Sequence, residues 1–590
     1  MSTAPVPRQP PHPQSPAPPD PPPAVPRASE ATRLLCAGTY QDATYRDRVI
    51  EELYLKEHRI AAPALGHDAA RVLAHALRAR REELGWSAAV LALWAVGLPL
   101  SGWLLTGLLL AGLVLALAPA RRGGQQGSAY RVLVLAAGHL VFAVTLAVLL
   151  AAAFGAFSPA GTGSSYDSSS SYDPYAPYGD ASAYGSSDGT SDLLDVLFPV
   201  FGGGGVEPWR AWTGLGTLVL IALCAAARRD RFARVFAEEL SPDRFADPAD
   251  DPAEQADGER FRRVFTRIRR EQHAPLVMYD EARPFLGAGS AYDTWVLAVE
   301  LRPDPDATQQ PLSNRAILER IRPLLAQLRV PAEHAGPAVR DRLRRLEIDE
   351  CVFLPVEGLA GRDEAPYSAG AFEQHRDRAV EEGGERRRHF LRIRVGGWEE
   401  ELVVTVFVRV HTQGGMLMLE IAPHVLTPVR PGFKDADREA LRIRTAAPVA
   451  KAAAALAQVP RSAGPALGTL GRGAADLWRL LTGGHTDAPP EGPAASVREL
   501  AAVSAGSKFQ EMDVARYLRS VQDRIGRGVR QALAEAGYET GEFMQKIVNI
   551  SNGAVHIDRV EGSTFAIGDH ARATNGGPGP QRGPRTHGTR

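Results

Sequence analysis

Residues 87–120 read SAAVLALWAVGLPLSGWLLTGLLLAGLVLALAPA and contain no charged side chain. A helix needs about 20 apolar residues to cross the roughly 30 Å of hydrocarbon in a bilayer, so this run is long for a single helix. Glycine, proline and serine residues between positions 97 and 102 interrupt it near its middle, and such residues punctuate helices. The run therefore predicts a tight hairpin of two membrane spans, about residues 87–101 and 103–119, with a re-entrant loop as the alternative.

Two further apolar runs predict one span each and complete a membrane region of residues 87–227. They occupy about residues 131–156 and 209–227. Between them, about residues 158–208 are rich in Ser, Gly, Asp and Tyr and poor in aliphatic side chains, a composition that cannot bury a core. We expect a disordered external loop there, and the alternative is that its repeated tyrosines contact a wall polymer or another chain.

Basic flanks set the expected direction of these spans. RVLAHALRARREELGW precedes the first run, Arg121 and Arg122 follow it, and RRDRFAR follows the last run. Cytoplasmic flanks hold the excess of Lys and Arg. Four spans in paired hairpins place all three basic flanks on one side, whereas three spans would place two of them outside. We therefore expect a multi-pass protein of the bacterial cell membrane with both termini in the cytoplasm and the lipid bilayer as a partner.

The predicted spans give little indication of a transport pathway. Such pathways show paired intramembrane charges or repeated spans. Among the predicted spans only His139 is ionisable and lies well inside the apolar run. A single histidine without an acidic partner is more typical of a packed polar residue, so we interpret the membrane region as an anchor. A transporter-associated subunit is kept as an alternative.

The overall composition excludes several classes of protein. A net charge of −1 over 590 residues gives no indication of nucleic-acid binding. The three cysteines, Cys36, Cys224 and Cys351, lie far apart, which excludes a cysteine-built metal site and a disulfide framework. Residues 1–32 are proline-rich without a secretory signal pattern, and residues 573–590 consist largely of Gly, Pro and Arg. Both ends are predicted to be disordered.

The remaining sequence predicts a helical segment before the spans and an α+β domain after them. Residues 33–86 indicate short cytoplasmic helices, one of them capped by Asp68. Residues 228–435 contain alternating strand and helix patterns that indicate an α+β domain with a mostly antiparallel sheet. Its first helix, ERFRRVFTRIRREQ (residues 259–272), is basic and amphipathic, so it either lies on anionic lipid or packs on the domain.

One segment of this domain carries a resemblance. PFLGAGSAYDTWVLAVEL, residues 284–301, resembles the PFxGxG…W segment of an uncharacterised family of actinobacterial multi-pass membrane proteins. The resemblance extends over about residues 33–435 and implies no activity, cofactor or site residue. Gly287 and Gly289 within it would let backbone approach a phosphate, but a tight strand connection is the interpretation that we favour, because no Lys-Ser/Thr pair follows.

Nothing in the sequence predicts a catalytic, cofactor-binding or metal-binding residue. We find no GxSxG elbow, phosphate-binding Walker loop, HExxH helix or kinase motif set. His389 and His411 lie on or beside predicted strands, and a cleft that joined them to a carboxylate would favour an enzyme. An enzyme with a site in residues 255–435 is therefore an alternative, and no cofactor is expected.

The C-terminal part predicts an interaction element at the end of a linker. Residues 436–507 are alanine-rich and predict a partly helical linker, and residues 508–550 predict amphipathic helices. The first of these helices has one apolar stripe, which the domain or another chain must cover. That stripe consists of Val514, Leu518, Val521, Ile525, Val529 and Leu533.

Residues 551–572 predict a short β hairpin. An isolated two-stranded hairpin is marginal in water, so it must add to a sheet of its own chain, stack on copies of itself or be folded by a partner. We favour an interaction role, either with a protein partner or in self-association, and no nucleic-acid partner. The sequence thus predicts a membrane-anchored cytoplasmic interaction or signalling scaffold. The candidate partner-binding residues are Val555, Ile557, Val560, Phe565 and Ile567.

Overall fold

The computed structural model contains a helical N-terminal part with apolar helices and a C-terminal α+β domain. It describes residues 26–117, 127–155, 207–247, 251–255, 258–330, 342–343, 345–382, 384–482 and 488–551. Nearly all of the predicted external loop (158–208) and C-terminal hairpin (551–572), and all of the C-terminal tail (573–590), lie outside the described residues. The predicted disordered N-terminal tail includes residues that are ordered in the structure: Pro26–Ala28 form a 3-10 turn, and Ser29 caps the first helix.

The elements are numbered along the chain. The helices of the N-terminal part are α1 (Glu30–Gln41), α2 (Ala43–Ile50), α3 (Ala69–Leu100), α4 (Thr106–Leu117), α5 (Gly127–Ala153), α6 (Pro208–Glu238), α7 (Pro242–Phe245) and α8 (Glu259–Gln272). They are followed by α9 (Asn314–Ala326), α10 (Ala369–Glu382), α11 (Pro431–Thr445), α12 (Pro448–Leu456), α13 (Ala463–Leu481), α14 (Val497–Leu500), α15 (Lys508–Glu535) and α16 (Gly541–Ser551). The strands are β1 (Leu276–Tyr279), β2 (Ser290–Ala291), β3 (Trp295–Glu300), β4 (Arg345–Pro355), β5 (Arg388–Gly397), β6 (Leu402–Gln413) and β7 (Met416–Leu426).

Three of the described helices are long and apolar enough to cross a membrane. They are α3, residues 136–153 of α5, and α6. A turn at residues 101–105, in which Gly102 has a φ of 61°, separates α3 from α4, as the interrupted run predicts. The described part of α4 has 12 residues and is about 18 Å long, which is short for a span. The structure thus supports membrane association and does not confirm the predicted count of four spans.

Helices α3 and α6 continue beyond their apolar parts into a helical core. Helix α3 begins at Asp68, whose side chain accepts hydrogen bonds from the backbone N–H groups of Ala70 and Arg71, so the predicted cap is confirmed. Its first turns and the last turns of α6 share one apolar cluster with α1, α2, α8 and α11. The apolar face of α8 is buried in this cluster, so the basic helix packs on protein.

The α+β domain is built on a seven-stranded mixed sheet. The strand order is β1-β4-β5-β6-β7, and β2 and β3 both pair with β7. The pair β1–β4 is parallel, and the other pairs are antiparallel. The sequence predicted a mostly antiparallel sheet, and the parallel pair β1–β4 makes the observed sheet mixed. The parallel pair arises because β1 and β4 are joined by a long connection that contains β2, β3 and α9, whereas a parallel neighbour cannot follow through a two-residue turn.

The two faces of the sheet have different covers. Helices α9, α10 and α15 cover one face, and the predicted apolar stripe of α15 is buried there. The other face carries a cluster of Phe353, Phe390 and Phe407, closed by Phe285 from the loop before β2. The stripe of α15 is therefore occupied by its own domain.

The connection between β5 and β6 is a left-handed turn that contains no glycine. Gly396 and Gly397 remain in β5, and the turn is formed by Trp398, Glu399 and Glu400, which have φ values of 53°, 60° and 69°. Left-handed backbone costs a non-glycine residue roughly 1–2 kcal/mol. The side chains hold this turn in place: Glu400 is buried against Arg394 and Arg345, and the indole of Trp398 donates to Asp513.

The segment predicted as an alanine-rich linker contains helices that pack on the membrane part. Ala455, Val459 and Ala463, from α12, α13 and the turn between them, lie in the same apolar cluster as Leu105 and Ile221. The composition suggested a linker because small side chains contribute little hydrophobicity. They permit close helix packing instead, and small residues are typical of helix contacts in membranes.

Candidate functional site

Two adjoining cavities lie beside the charged end of α6. This level, where the apolar part of α6 ends at Arg228 and Arg229, is called the membrane boundary below. One cavity, of about 790 Å³, is open to one side and is lined by α1, α2, α3, α6 and α11, with Tyr40 and Trp86 in its wall. The other, of about 760 Å³, lies between α6, α11 and α12. Arg229 belongs to the wall of both cavities.

Charges of both signs surround these cavities. Arg46 and Glu83 form an ion pair in the wall of the first, and Lys451 lies 3.8 Å from Asp230 in the wall of the second. Arg229 adds a further positive charge at the junction of the two. A groove of mixed charge beside apolar helices suits a molecule with an apolar part and a polar head, rather than a simple anion or cation.

A buried polar chain stands behind the wall of the first cavity. The Tyr40 hydroxyl lies 3.2 Å from Nδ1 of His75, and Nε2 of His75 lies 3.0 Å from Oδ2 of Asp251. Nε of Arg71 donates to the same oxygen at 2.8 Å. With a proton on Nε2, His75 donates to Asp251 and accepts from Tyr40. His75, Asp251 and Arg71 are almost fully buried.

The ionisation of this chain suits a structural role. Burial raises the pKa of the Tyr40 hydroxyl well above its ordinary value, so it stays protonated and is no nucleophile. Burial alone would also raise the pKa of Asp251, but hydrogen bonds from His75 and Arg71 hold it well below its usual range. Asp251 is therefore a carboxylate that neutralises the buried Arg71 guanidinium.

The glycines of the PFLGAG loop bind a carboxylate of the same chain. The backbone N–H groups of Gly287 and Gly289 donate to Oε1 of Glu499 at 2.7 and 3.0 Å. Both glycines have φ near 100°, and a Cβ at Gly287 would lie 2.5 Å from the carbonyl oxygen of Pro63. The loop is thus a tight connection as expected, and Glu499 of α14 occupies the position that an external anion would need.

His389 and His411 do not meet in a cleft. His389 lies on the face of β5 that carries Leu391, whereas His411 lies on the face of β6 that carries Phe407, and these belong to opposite sides of the sheet. Each histidine has its own acid: Glu350 lies 3.3 Å from His389, and Glu420 lies 3.9 Å from His411. The convergence that would favour an enzyme is therefore absent at these two residues.

His139, the ionisable residue well inside a predicted span, contacts an arginine from a distant part of the chain. Nη2 of Arg461, in the turn between α12 and α13, lies 3.3 Å from Nε2 of His139 in α5. The same turn places Ser462 within 3.4 Å of the indole nitrogen of Trp94 in α3. Two polar contacts thus join this turn to the apolar helices.

The candidate partner-binding residues lie outside the described residues: Val555, Ile557, Val560, Phe565 and Ile567. The structure fixes the position from which they follow. Phe543 of α16 is fully buried in the core of the α+β domain, and Nζ of Lys546 donates to the carbonyl oxygen of Ala298 in β3 at 2.9 Å. These contacts hold the first two turns of α16 against the α+β domain. Among the described residues, no group of three or more His, Cys, Asp or Glu side chains could hold a metal ion.

Several structurally important residues were missed by sequence reasoning. Asp251 lies in a polar stretch and Glu499 in an alanine-rich one, and their partners, Arg71 and the PFLGAG loop, are about 180 and 210 residues away. No local pattern marks such pairs. Arg461 had a detectable signal, because it is the single charged residue in the run 452–471.

The comparison with known families concerns the C-terminal part of the chain. Residues 294–565 match the family model described as AbeC-like domain, which is a little under half of the chain. The match begins just before β3, so it includes Trp295 but not the PFLGAG loop or the candidate spans. No curated protein and no solved structure matches. From β3 onwards, this chain is similar to the AbeC-like domain, which supports the resemblance to an uncharacterised family in that part alone.

Proposed function

We propose that this protein is a membrane-anchored cytoplasmic interaction or signalling scaffold. The observation that carries the proposal is the continuity of α3 and α6, which run without a break from their apolar parts into the helical core. A flexible tether would leave the attached domain free to reorient. Two continuous helices instead hold it in a fixed orientation at the membrane, which is the property that a scaffold requires.

The proposed topology has four spans in a bacterial cell membrane and both termini in the cytoplasm. Its support is the placement of basic residues, which favours the cytoplasm for all three flanks. The turn at residues 101–105 adds support, because α4 leads back from the end of α3 to the level at which Gly112 approaches Pro460. The actinobacterial resemblance of residues 33–435 belongs to the same proposal.

The polar groups of the described part favour a scaffold over an enzyme. The loop glycines bind Glu499, the buried histidine His75 is held between Tyr40 and Asp251, and His389 is paired with Glu350. Catalytic groups need an accessible reacting partner within hydrogen-bond reach. These groups are engaged with one another, and each engagement joins separate segments of the chain.

The test compares the full-length protein with a chain truncated after Ile550. Both are purified from native membranes in mild detergent, partners are identified by mass spectrometry, and assembly size is measured by light scattering. We expect the truncation to remove a partner or to reduce the assembly to a monomer, while the melting temperature stays unchanged. An unchanged partner list and assembly size would overturn the proposed role of the C-terminal segment.

A pair of full-length variants sharpens this test. One carries Val555→Ser and Ile557→Ser, and the matched control carries His556→Ser and Asp558→Ser. Side chains alternate between the two faces of a strand, so only the first variant removes the apolar face. We expect the first variant to behave like the truncated chain and the control to behave like the unmodified protein. Equal behaviour of the two would argue against binding through a strand face.

A further inference from the structure

The helices α12 and α13 carry charged residues at the membrane boundary. On α12, Nζ of Lys451 lies 3.8 Å from Asp230, which directly follows the basic end of the apolar part of α6. On α13, Nε of Arg472 lies 3.5 Å from Asp47. One turn further, Asp476 lies 3.0 Å from Arg80, which precedes the apolar part of α3. Both helices therefore cross the same level as the charged ends of α3 and α6.

Between these charges the chain is almost uncharged. Residues 452–471 read AAAALAQVPRSAGPALGTLG, and Arg461 is the one charged residue among them. The turn at Val459–Arg461 divides the run into an arm of seven residues (452–458) and an arm of ten residues (462–471). At 1.5 Å per helical residue these arms reach roughly 10 and 15 Å, at most half of the roughly 30 Å of hydrocarbon. Both lengths fit a hairpin that turns back inside the bilayer.

The packing of the hairpin confirms that it lies among apolar helices. Ala455, Val459 and Ala463 are almost fully buried in the cluster formed by the candidate spans. At Gly112 of α4, an added Cβ would lie 2.6 Å from the carbonyl oxygen of Pro460, so only glycine allows this approach. At Gly473, an added Cβ would meet the side chain of Leu84 at 2.6 Å. Non-helical backbone at membrane depth is tolerated where protein covers it, as α4 does here.

The outer side of the hairpin is apolar and exposed. Leu456 on α12 is 54% exposed and Leu467 on α13 is 49% exposed, each about 7 Å beyond the boundary charges of its arm. Leu223, on the apolar part of α6, is 59% exposed in the same way. Trp478 lies near the boundary, where aromatic side chains gather in membrane proteins. The outer side of the hairpin therefore continues the lipid-facing surface of the spans.

We propose that residues 448–481 form a re-entrant hairpin, which enters the bilayer from the side of the α+β domain and contacts lipid hydrocarbon. Arg461 marks its tip and contacts His139 at that depth. A charged side chain in hydrocarbon is costly and is normally paired with a polar group inside the protein, which His139 supplies. The region similar to the AbeC-like domain contains this hairpin and none of the candidate spans, so on this proposal the similar region is itself partly membrane-embedded.

The test measures whether lipid hydrocarbon or water surrounds each arm of the hairpin. Single cysteines replace Leu456 or Leu467 in the full-length chain, in a Cys224→Ala background, because Cys36 and Cys351 are buried. Each variant is labelled with a nitroxide and reconstituted in lipid vesicles. Collision rates with molecular oxygen, which concentrates in hydrocarbon, are compared with those of a water-soluble nickel chelate by electron paramagnetic resonance.

Two further positions calibrate the measurement. Leu223→Cys reports lipid on a candidate span, and Val296→Cys reports water on β3, where Val296 is 56% exposed. We expect the oxygen-to-nickel ratio at Leu456 and Leu467 to equal that at Leu223 and to exceed that at Val296 several-fold. A ratio like that of Val296 at either arm would place that arm in water and overturn the proposal. Exclusion of both reagents from the two arms would mean that another protein surface covers the hairpin, which would overturn it as well.

Discussion

Oε1 of Glu499 accepts a 2.7 Å hydrogen bond from the backbone N–H of Gly287, although the two residues are 212 positions apart in the chain. The same oxygen accepts from Gly289 at 3.0 Å. This contact ties the loop over the aromatic face of the sheet to α14, the short helix that follows the hairpin and its connecting segment. The loop has the shape of an anion-binding site, but the Glu499 carboxylate already accepts hydrogen bonds from both of its N–H groups, so no external anion can bind there.

The first prediction concerns this contact. Glu499→Ala removes the acceptor of two N–H groups, and a hydrogen bond to a charged group is worth about 1.5–3 kcal/mol. We expect the free energy of unfolding to fall by about that amount, and Glu499→Gln, which keeps an oxygen acceptor, to cost less. Denaturation in detergent micelles measures both. Glu319→Ala, on the exposed side of α9, is the control and should change little; an equal loss there would contradict the assignment.

For two glycines in α15, we predict that substitution by alanine changes the melting temperature in opposite directions. At Gly528 an added Cβ would lie 2.8 Å from Cα of Ile321, whereas at Gly526 it would lie 3.1 Å from Cδ1 of Ile547, a flexible side-chain end. Alanine is favoured over glycine in a helix by about 1 kcal/mol. We therefore expect Gly526→Ala to raise the melting temperature slightly and Gly528→Ala to lower it, because overpacking against backbone costs about 1–3 kcal/mol. Equal shifts in the two variants would refute the close contact at Gly528.

Acid sensitivity follows from buried histidines. Burial lowers the pKa of His67 to about 3 and that of His424 to about 4, below the ordinary value of 6.5. Between pH 6.5 and these values the unfolded chain binds protons that the native chain does not, so stability falls as the pH falls. The slope is about 1.4 kcal/mol per pH unit for each histidine.

His67→Gln should reduce this dependence. The measurement is the difference in the free energy of unfolding between pH 7 and pH 5, which separates the titration from any loss of packing seen at pH 7 alone. We expect a smaller difference in the variant than in the unmodified protein. If the two differences are equal, His67 is not the group that makes the fold acid-sensitive.

The buried pair of Arg71 and Asp251 predicts a large loss on removal of one partner. Asp251→Asn leaves the Arg71 guanidinium, which is 1% exposed, without its carboxylate at 2.8 Å. Breaking a buried ion pair in this way costs about 3–5 kcal/mol. We expect poor recovery of folded protein after detergent extraction. The double variant with Arg71→Met should recover better than Asp251→Asn alone, and failure to do so would argue that the charge is not the cause.

The left-handed turn between β5 and β6 predicts that a glycine substitution there would increase the stability of the fold. Glu399 is exposed and has a φ of 60°, so glycine at this position would remove the conformational cost. We expect Glu399→Gly to stabilise the protein by up to about 1 kcal/mol. Glu373→Gly, at an exposed position inside α10, should destabilise it by a similar amount. Thermal unfolding of the two variants should therefore shift in opposite directions, and a loss in both would disprove the strain.

Local patterns predicted much of the fold because they depend on neighbouring residues. The apolar run of residues 87–120 marked the turn after α3, Asp68 marked the start of α3, and the stripe of α15 marked a covered face. The parallel pair β1–β4 could not be read in the same way, because pairing between distant strands leaves no local trace.

The hairpin of α12 and α13 escaped sequence prediction for a different physical reason. Alanine and glycine contribute little to hydropathy, yet they determine how closely two helices approach. The contact of Gly112 with Pro460 depends on two segments almost 350 residues apart, and neither segment alone reveals it. The Glu499 contact with the loop at Gly287 was hidden in the same manner.

Val459 and Ile221 lie in one apolar cluster, and this arrangement has a consequence for biosynthesis. All seven strands lie between these two residues in the chain, so a ribosome synthesises the whole sheet after α6 and before α12. The contacts of α12 and α13 with the earlier apolar helices can therefore form only after the strands of the sheet have been synthesised. A nascent chain that stops within the sheet would lack the cover that Ala455, Val459 and Ala463 give to this cluster, so part of its apolar surface would stay exposed until α12 and α13 are made.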